Sequence, residues 1–362
     1  MPMIQTDAVV IGAGPVGLFQ LFQLGLLGLQ AHVVDALPEA GGQCVALYPD
    51  KPIYDIPGVP VCTGRQLTEQ LLAQAAPFLH GSSNLHLNQQ VESLRIDDAA
   101  DAQAQPHAQA RIHVHTSQGV HLLAKAVFIA AGAGAFVPRA LPIPGLDASE
   151  RLSNLHHHLP PPEQTAPWAG QHLVIAGGGD EALQAVLDVL ASPQAQRPSR
   201  LSLLHRRDQF QADTALEQQV RLLIQQGQVQ LVLGVPQGAT QQDQALTELS
   251  LVNAEGTFAL ALDHLLVRLG LSPRLGPLTD WGLNLERKQV SVNPATFATN
   301  LPGVYAVGDI NTYPGKKRLL LCGFHEATLA AHAAAHAIHP EAPQHLLYTT
   351  TSPLLHERLG LT

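Results

Sequence analysis

The apolar positions of this chain come in short unbroken runs punctuated by glycine. Ala8-Val9-Val10-Ile11, entered from Asp7, has the pattern of a strand covered on both faces. Gly12-Ala13-Gly14-Pro15-Val16-Gly17 interrupts the run. Leu18, Leu21, Phe22, Leu26 and Leu27 then recur at helical spacing, and Gly28 supplies a stop. Ala31-His32-Val33-Val34-Asp35 reads as a second strand. The same order returns 165 residues later: a strand over 172–176, the turn Gly177-Gly178-Gly179-Asp180-Glu181-Ala182, a helix over 183–190 and a strand over 201–205. A further strand, 304–307, runs into Gly308-Asp309. Alternating strands and helices predict an α/β fold with parallel sheets. The repeated strand, glycine turn, helix and strand predict two Rossmann-like dinucleotide-binding domains.

Two stretches fall outside this pattern. Residues 97–110 are rich in Ala, Gln and Asp and read as a solvated loop between two strands of a small sheet. His156-His157-His158, followed by Pro160-Pro161-Pro162, reads as an exposed linker. Metal ligands need spacing that converges on one point, so no metal is assigned to the histidines.

Composition narrows the picture. The 362 residues suit about two domains. Apolar residues at 46% exclude a disordered chain, and aromatics at 4% leave the core to Leu, Val and Ala. The longest apolar stretch, 122–138, contains Lys125 and several glycines, so no membrane span is expected. The N-terminus lacks a secretory pattern, and a cytoplasmic protein is expected. A net charge of −9 makes nucleic acid and anionic membrane poor partners. Cys44, Cys62 and Cys322 are scattered, and no CxxC occurs.

The first glycine motif has each part that a dinucleotide requires. Gly12 permits the turn, Gly14 lets backbone N–H groups approach a pyrophosphate, and Gly17 lets the helix pack on the sheet. The helix N-terminus favours the phosphate charge. Asp35, 23 residues after Gly12, ends the second strand, where a carboxylate can accept from ribose hydroxyls. The second motif, Gly177-x-Gly179-x-x-Ala182, has no such acid. Its second strand runs into His205-Arg206-Arg207, and the cationic pair suits the 2′-phosphate of NADP. One acid and one arginine pair together point to FAD plus NADPH.

The sequence resembles the bacterial ferredoxin–NADP reductases of the thioredoxin-reductase-like type. The resemblance rests on GAGPVGLF (12–19), GGQCVALYPDKPIYDIPG (41–58), AAGAGAFVPR (130–139), the second glycine motif with HRRD (205–208), and GVYAVGDINTYPGKKRLLLCGFHEA (303–327). It implies a thioredoxin-reductase-like fold in which an NADPH domain (148–279) is inserted into a discontinuous FAD domain (1–147 and 280–362, with a C-terminal tail). It also implies a homodimer. FAD is then expected to meet Val16, Asp35, Gln43, Tyr48, Val91 through its backbone, Phe136, Asp309 at the ribityl chain, and Thr350 from the tail. Hydride would pass from NADPH to flavin and single electrons onward to ferredoxin or flavodoxin, with domain rotation between the steps. The flavin does the chemistry, so no catalytic acid, base or nucleophile is assigned. A thioredoxin reductase carries a redox-active cysteine pair, but here 166–171 has no Cys and Pro49 stands where a second flavin-proximal Cys would. Cys44 is therefore read as a small buried hydrophobe.

Three positions depart from the family pattern. Glu181 replaces the Ser of GGGDSA, Gln211 replaces the Arg of HRRDxFRA, and Thr349 replaces an aromatic residue found in some members. The first two lie in the NADPH half. Lys316-Lys317-Arg318 is the densest cationic run and is read as part of a docking surface for an acidic partner. Two other readings stay open. One is an NAD(P)H-dependent flavoprotein reductase with another acceptor, and the other a non-catalytic flavin-binding redox sensor.

Overall fold

In the computed structural model the described residues are 3–80, 83–97, 111–143, 146, 152–161, 164–341 and 348–361. Residues 98–110 of the expected loop and the expected boundary at 147/148 lie outside them. The chain divides into two compact units, Met1–Ala135 with Pro273–Thr362, and Phe136–Ser272. Packing sets these limits. Leu141, Ile143 and Leu146 join Val174 and Leu204 in a core of the inserted unit, whereas Leu275 and Leu278 pack with Val9 and Ile129 of the outer one. The joins thus fall at 135/136 and 272/273 instead of the expected 147/148 and 279/280.

The outer unit begins with β1 (Ile4–Ile11), α1 (Pro15–Leu26) and β2 (Ala31–Val34), followed by α2 (Gln43–Ala46) and α3 (Gly64–Ala75). β1 lies between β2 and the strand His121–Ile129, parallel to both, in a register that opposes Val10 to Val33 and to Phe128. Its last half does not alternate between apolar and polar positions: Ala8, Val9 and Val10 are all fully buried, as a parallel strand covered on both faces requires. Ile112–Thr116 and Val91–Ile96 extend the sheet in antiparallel pairing.

The inserted unit has a five-stranded parallel sheet in the order Leu155–His156, His264–Val267, His172–Ala176, Arg200–His205, Gln230–Leu233. Its strands alternate between two cores. Leu173, Ile175 and Leu203 face α4 (Asp180–Ala191) and α5 (Thr214–Gln225), while Val174, Ala176 and Leu204 face Leu249 and Leu251 of a three-stranded antiparallel sheet. His156, expected in an exposed linker, lies in an edge strand instead. Its Nε2 is 3.0 Å from His264 Nδ1, and its ring packs edge-on against buried Trp168.

The chain then returns to the outer unit. Val304–Ala306 pairs in parallel with His121–Ile129 and leads into a single 3-10 turn, Gly308–Ile310. α6 (Leu320–Ile338) presents Ala327, Ala330, Ala331 and Ala334 to the core, and a short α7 (Pro353–Arg358) closes the tail. Among the described residues no helix is long and apolar enough to cross a membrane.

Candidate functional site

Each unit carries one glycine turn at the carboxyl end of a central parallel strand. In the outer unit Gly12 sits at φ +113, and a Cβ there would lie 2.4 Å from the Ala130 carbonyl oxygen, so only glycine fits. At Gly17 a Cβ would lie 1.8 Å from the Gly12 carbonyl oxygen, which is how α1 comes so close to the turn. No side chain caps α1, and no acidic residue occupies its first turn. Its N–H groups are thus left for an anion. Gly41 and Gly42 form a second lip: the Gly41 N–H donates to the Ala13 carbonyl at 2.9 Å.

Asp35 follows β2. One carboxylate oxygen accepts from the Ala13 N–H at 2.5 Å and the other from the Leu37 N–H at 2.8 Å. Each oxygen keeps a second lone pair. Burial raises the Asp35 pKa above the usual carboxylate value, against the pull of the two N–H groups. This is a rigid acceptor beside an uncapped helix, with lone pairs free for hydroxyl donors. The uncapped helix, the collisions that exclude larger side chains and the half-used carboxylate together fit a dinucleotide such as FAD.

Val16 joins three pieces of this region. Its methyl groups lie against Gly308, and they lie so close to Gly323 of α6 that a Cβ there would be 2.4 Å away. Asp309 is thereby carried next to the turn. Burial raises its pKa, opposed by the charges of Lys316 and Arg318. Tyr48 is half-buried with its hydroxyl 3.5 Å from Cys44 Sγ, and burial pushes its pKa well up. Cys44 is itself buried, in keeping with a small hydrophobe. Gln43 Nε2 would touch a Cβ on Gly132 at 3.0 Å. Val91 opens its strand with its side chain buried, and Phe136 is half-buried where the chain leaves the outer unit.

Thr350 is not brought to this region. It is exposed, three residues before α7, whose Leu355 packs on Phe22 and Phe78, and Leu354 approaches Gly28. That is the C-terminal end of α1, about 18 Å of helix away from the phosphate end. Lys316 corrects a second expectation. Its side chain is 7% exposed and ion-paired with the fully buried Glu326, so it is internal and cannot dock a partner. Lys317 and Arg318 are exposed. The sequence signal for this pair was a lone carboxylate on the alanine face of an apolar helix, one turn before Ala330.

The inserted unit repeats the turn with different chemistry around it. Gly177, at φ +154, would bring a Cβ within 2.2 Å of the Arg268 carbonyl oxygen. The His205 ring lies against Gly178, and burial lowers its pKa, which keeps the imidazole neutral near pH 7. Arg206 and Arg207 are exposed, and among the described residues neither has a carboxylate within ion-pair distance. Gly179 offers no side-chain cap to α4. Asp180 accepts from the Asp213 N–H at 2.7 Å, and Glu181 faces Arg268 at 3.8 Å. The carboxylates that depart from a phosphate-binding pattern are thus partly occupied by the protein. Gln211 holds the turn through its main chain, its N–H donating to the Gly178 carbonyl at 2.8 Å.

A family model of pyridine nucleotide-disulphide oxidoreductases matches residues 6–337. The ferredoxin–NADP reductase of Paracidovorax citrulli (strain AAC00-1) is 51% identical over 99% of this chain and 97% of its own. That of Acidovorax sp. (strain JS42) is 52% identical over 98% and 95%. This chain belongs to the bacterial ferredoxin–NADP reductases of the thioredoxin-reductase-like type. Among solved structures it is similar to the thioredoxin reductase of Lactococcus lactis (TM-score 0.52, 20% identity, 92% of this chain and 99% of that one). It is also similar to the bacillithiol disulfide reductase of Staphylococcus aureus (TM-score 0.58, 14% identity, 91% and 98%). At those identities the likeness is one of fold. Like other ferredoxin–NADP reductases, this chain is an oxidoreductase that uses FAD and NADP. Its three cysteines are free, and the inserted unit contains none.

Proposed function

We propose that this enzyme oxidises NADPH and delivers the electrons singly to ferredoxin or flavodoxin, in the cytoplasm and as a homodimer. The observation that carries the reading is the contrast between two like turns: one ends at the pinned carboxylate of Asp35, the other at the exposed Arg206 and Arg207. Bound FAD supplies the step from hydride acceptance to one-electron release.

The residues of this chain bind and orient. Gly12, Gly14, Val16 and Gly17 hold the FAD pyrophosphate against the start of α1, and Asp35 accepts from the ribose. Gln43, Tyr48, Val91 and Asp309 line the rest of that cofactor's path; Phe136, expected with them, is the first residue of the inserted unit. Thr350 stands in the tail just before α7, which packs toward the other end of α1. Gly177 and Gly179 hold the NADPH pyrophosphate, and Arg206 and Arg207 hold its 2′-phosphate beside neutral His205. Without a cysteine pair in the inserted unit, electrons leave for an external acceptor directly. Exposed Lys317 and Arg318, next to exposed Leu319 and Leu321, support docking of an acidic partner there. The exposed Tyr348, Leu359 and Leu361 of the tail support a second copy covering them. Free cysteines suit a reducing compartment.

Anaerobic NADPH is expected to bleach the visible flavin absorbance, NADH to do so far more slowly, and added ferredoxin or flavodoxin to restore it. Restoration by a quinone or a disulfide protein alone would assign another acceptor. Charge reversal at Lys317 and Arg318 should raise KM for ferredoxin and spare reduction of a small dye.

A further inference from the structure

Glu326 is fully buried on α6 and has every acceptor position used. One carboxylate oxygen accepts from the Gly308 N–H at 2.7 Å and from Asn311 Nδ2 at 2.8 Å. The other accepts from the Tyr313 hydroxyl at 3.0 Å and from Lys316 Nζ at 2.5 Å. Lys316 also donates to the Gly308 carbonyl at 2.9 Å. Gln289 Nε2 donates to the carbonyls of Asp309 at 3.0 Å and of Asn311 at 2.8 Å. The backbone on both sides of Asp309 is therefore tied down. The Asp309 carboxylate itself has no hydrogen bond or ion pair among the described residues.

A buried ion pair is a poor device for stability alone, because desolvation offsets most of its attraction and an apolar replacement is often no worse. Its value lies in geometry and in fixed charge. We propose that Glu326 and Lys316 are positioning residues for the flavin: together they lock the Gly308–Asn311 turn that aims Asp309, and their opposite charges balance the field at the cofactor. This rests on the reading of the outer unit as the FAD site. Removing the Glu326 charge alone leaves the Lys316 cation unbalanced there and favours the reduced, more anionic flavin. Removing the Lys316 charge alone does the opposite.

The test uses purified full-length holoenzyme with Glu326→Gln, Lys316→Met and the double variant. Three quantities are measured: the equilibrium reduction potential of bound flavin against reference dyes, the Kd for FAD, and thermal stability. The expected pattern is a more positive potential for E326Q, a more negative one for K316M, and a return toward wild type in the double variant. The Kd for FAD should rise about tenfold in each single variant. If E326Q fails to fold, K316M decides alone by the direction of its shift. Unchanged potential and FAD affinity with lowered thermal stability would overturn the proposal and leave a structural pair. Wild-type protein that binds no FAD would instead overturn the underlying assignment of the site.

Discussion

The two glycine turns share a backbone and differ in what surrounds it. Gly12 and Gly177 both sit at positive φ after a central parallel strand, and both would drive a Cβ into a carbonyl oxygen, of Ala130 and of Arg268. Beyond that the regions part. The outer turn opens onto a helix with no acid in its first turn, and its partner strand ends at a carboxylate held by two N–H groups. The inner turn opens onto Asp180 and Glu181, and its partner strand ends in two exposed arginines. In the proposed reading the common part would hold a pyrophosphate, which every dinucleotide has, and the differing part would read the ribose, where FAD and NADP are unlike.

The largest effects should come from breaking the turns themselves. Gly12→Ala should cost on the order of 3 kcal/mol or more and yield colourless or insoluble protein. Gly177→Ala should leave a yellow protein whose KM for NADPH rises at least about tenfold. Flavin absorbance and NADPH titration of both variants check this, and loss of flavin from G177A would show that the turns are not independent. Next, Arg206→Ala with Arg207→Ala should raise KM for NADPH by about 100-fold, as two charge-assisted contacts would predict, and change that for NADH little. Equal losses with both coenzymes would remove the arginines from 2′-phosphate recognition.

The two units are also alike in each carrying a histidine pair. His32 meets His86 in the outer unit, and His156 meets His264 in the inserted one, at 2.9 and 3.0 Å. Burial, and then the neighbouring histidine, lowers the pKa of His32 and of His156 to about 4. The unfolded chain therefore takes up protons that the folded one refuses. The stability concerned is complete above pH ~6.5 and is lost as pH falls toward ~4. Discounted for partial exposure, each pair should account for roughly 1 kcal/mol. Melting temperature against pH should fall over that window, and His32→Gln with His86→Gln should flatten part of the fall. The smallest expected effect is that of Glu181→Ser. Relief of one partly exposed charge at a helix N-terminus should lower KM for NADPH by about two- to five-fold.

Much of this arrangement was legible along the chain because it is local. Strand, glycine turn and helix lie within about 15 residues, and the geometry of such a turn is dictated by its own backbone. Asp35 was legible for the same reason, since it ends the very next strand. The His156 segment was misread because its strand character comes from His264, more than 100 residues away, and from the side of Trp168. Lys316 looked like surface charge because a cationic run shows no burial of its own; only the packing of α6 turns Glu326, ten residues on, back to it. Thr350 follows the same rule: the tail goes where Phe22 and Phe78 offer it an apolar seat.

The amino-acid order by itself determined the two nucleotide-type turns, the acid at one and the cations at the other, and the lack of a cysteine pair. These depend on residue identity over short spans, where chain connectivity does the placing. Only tertiary structure decided which charges face water and which are buried against a partner, where the joins between units fall and where the tail rests. Those depend on desolvation and on packing between elements, which no single element's pattern encodes.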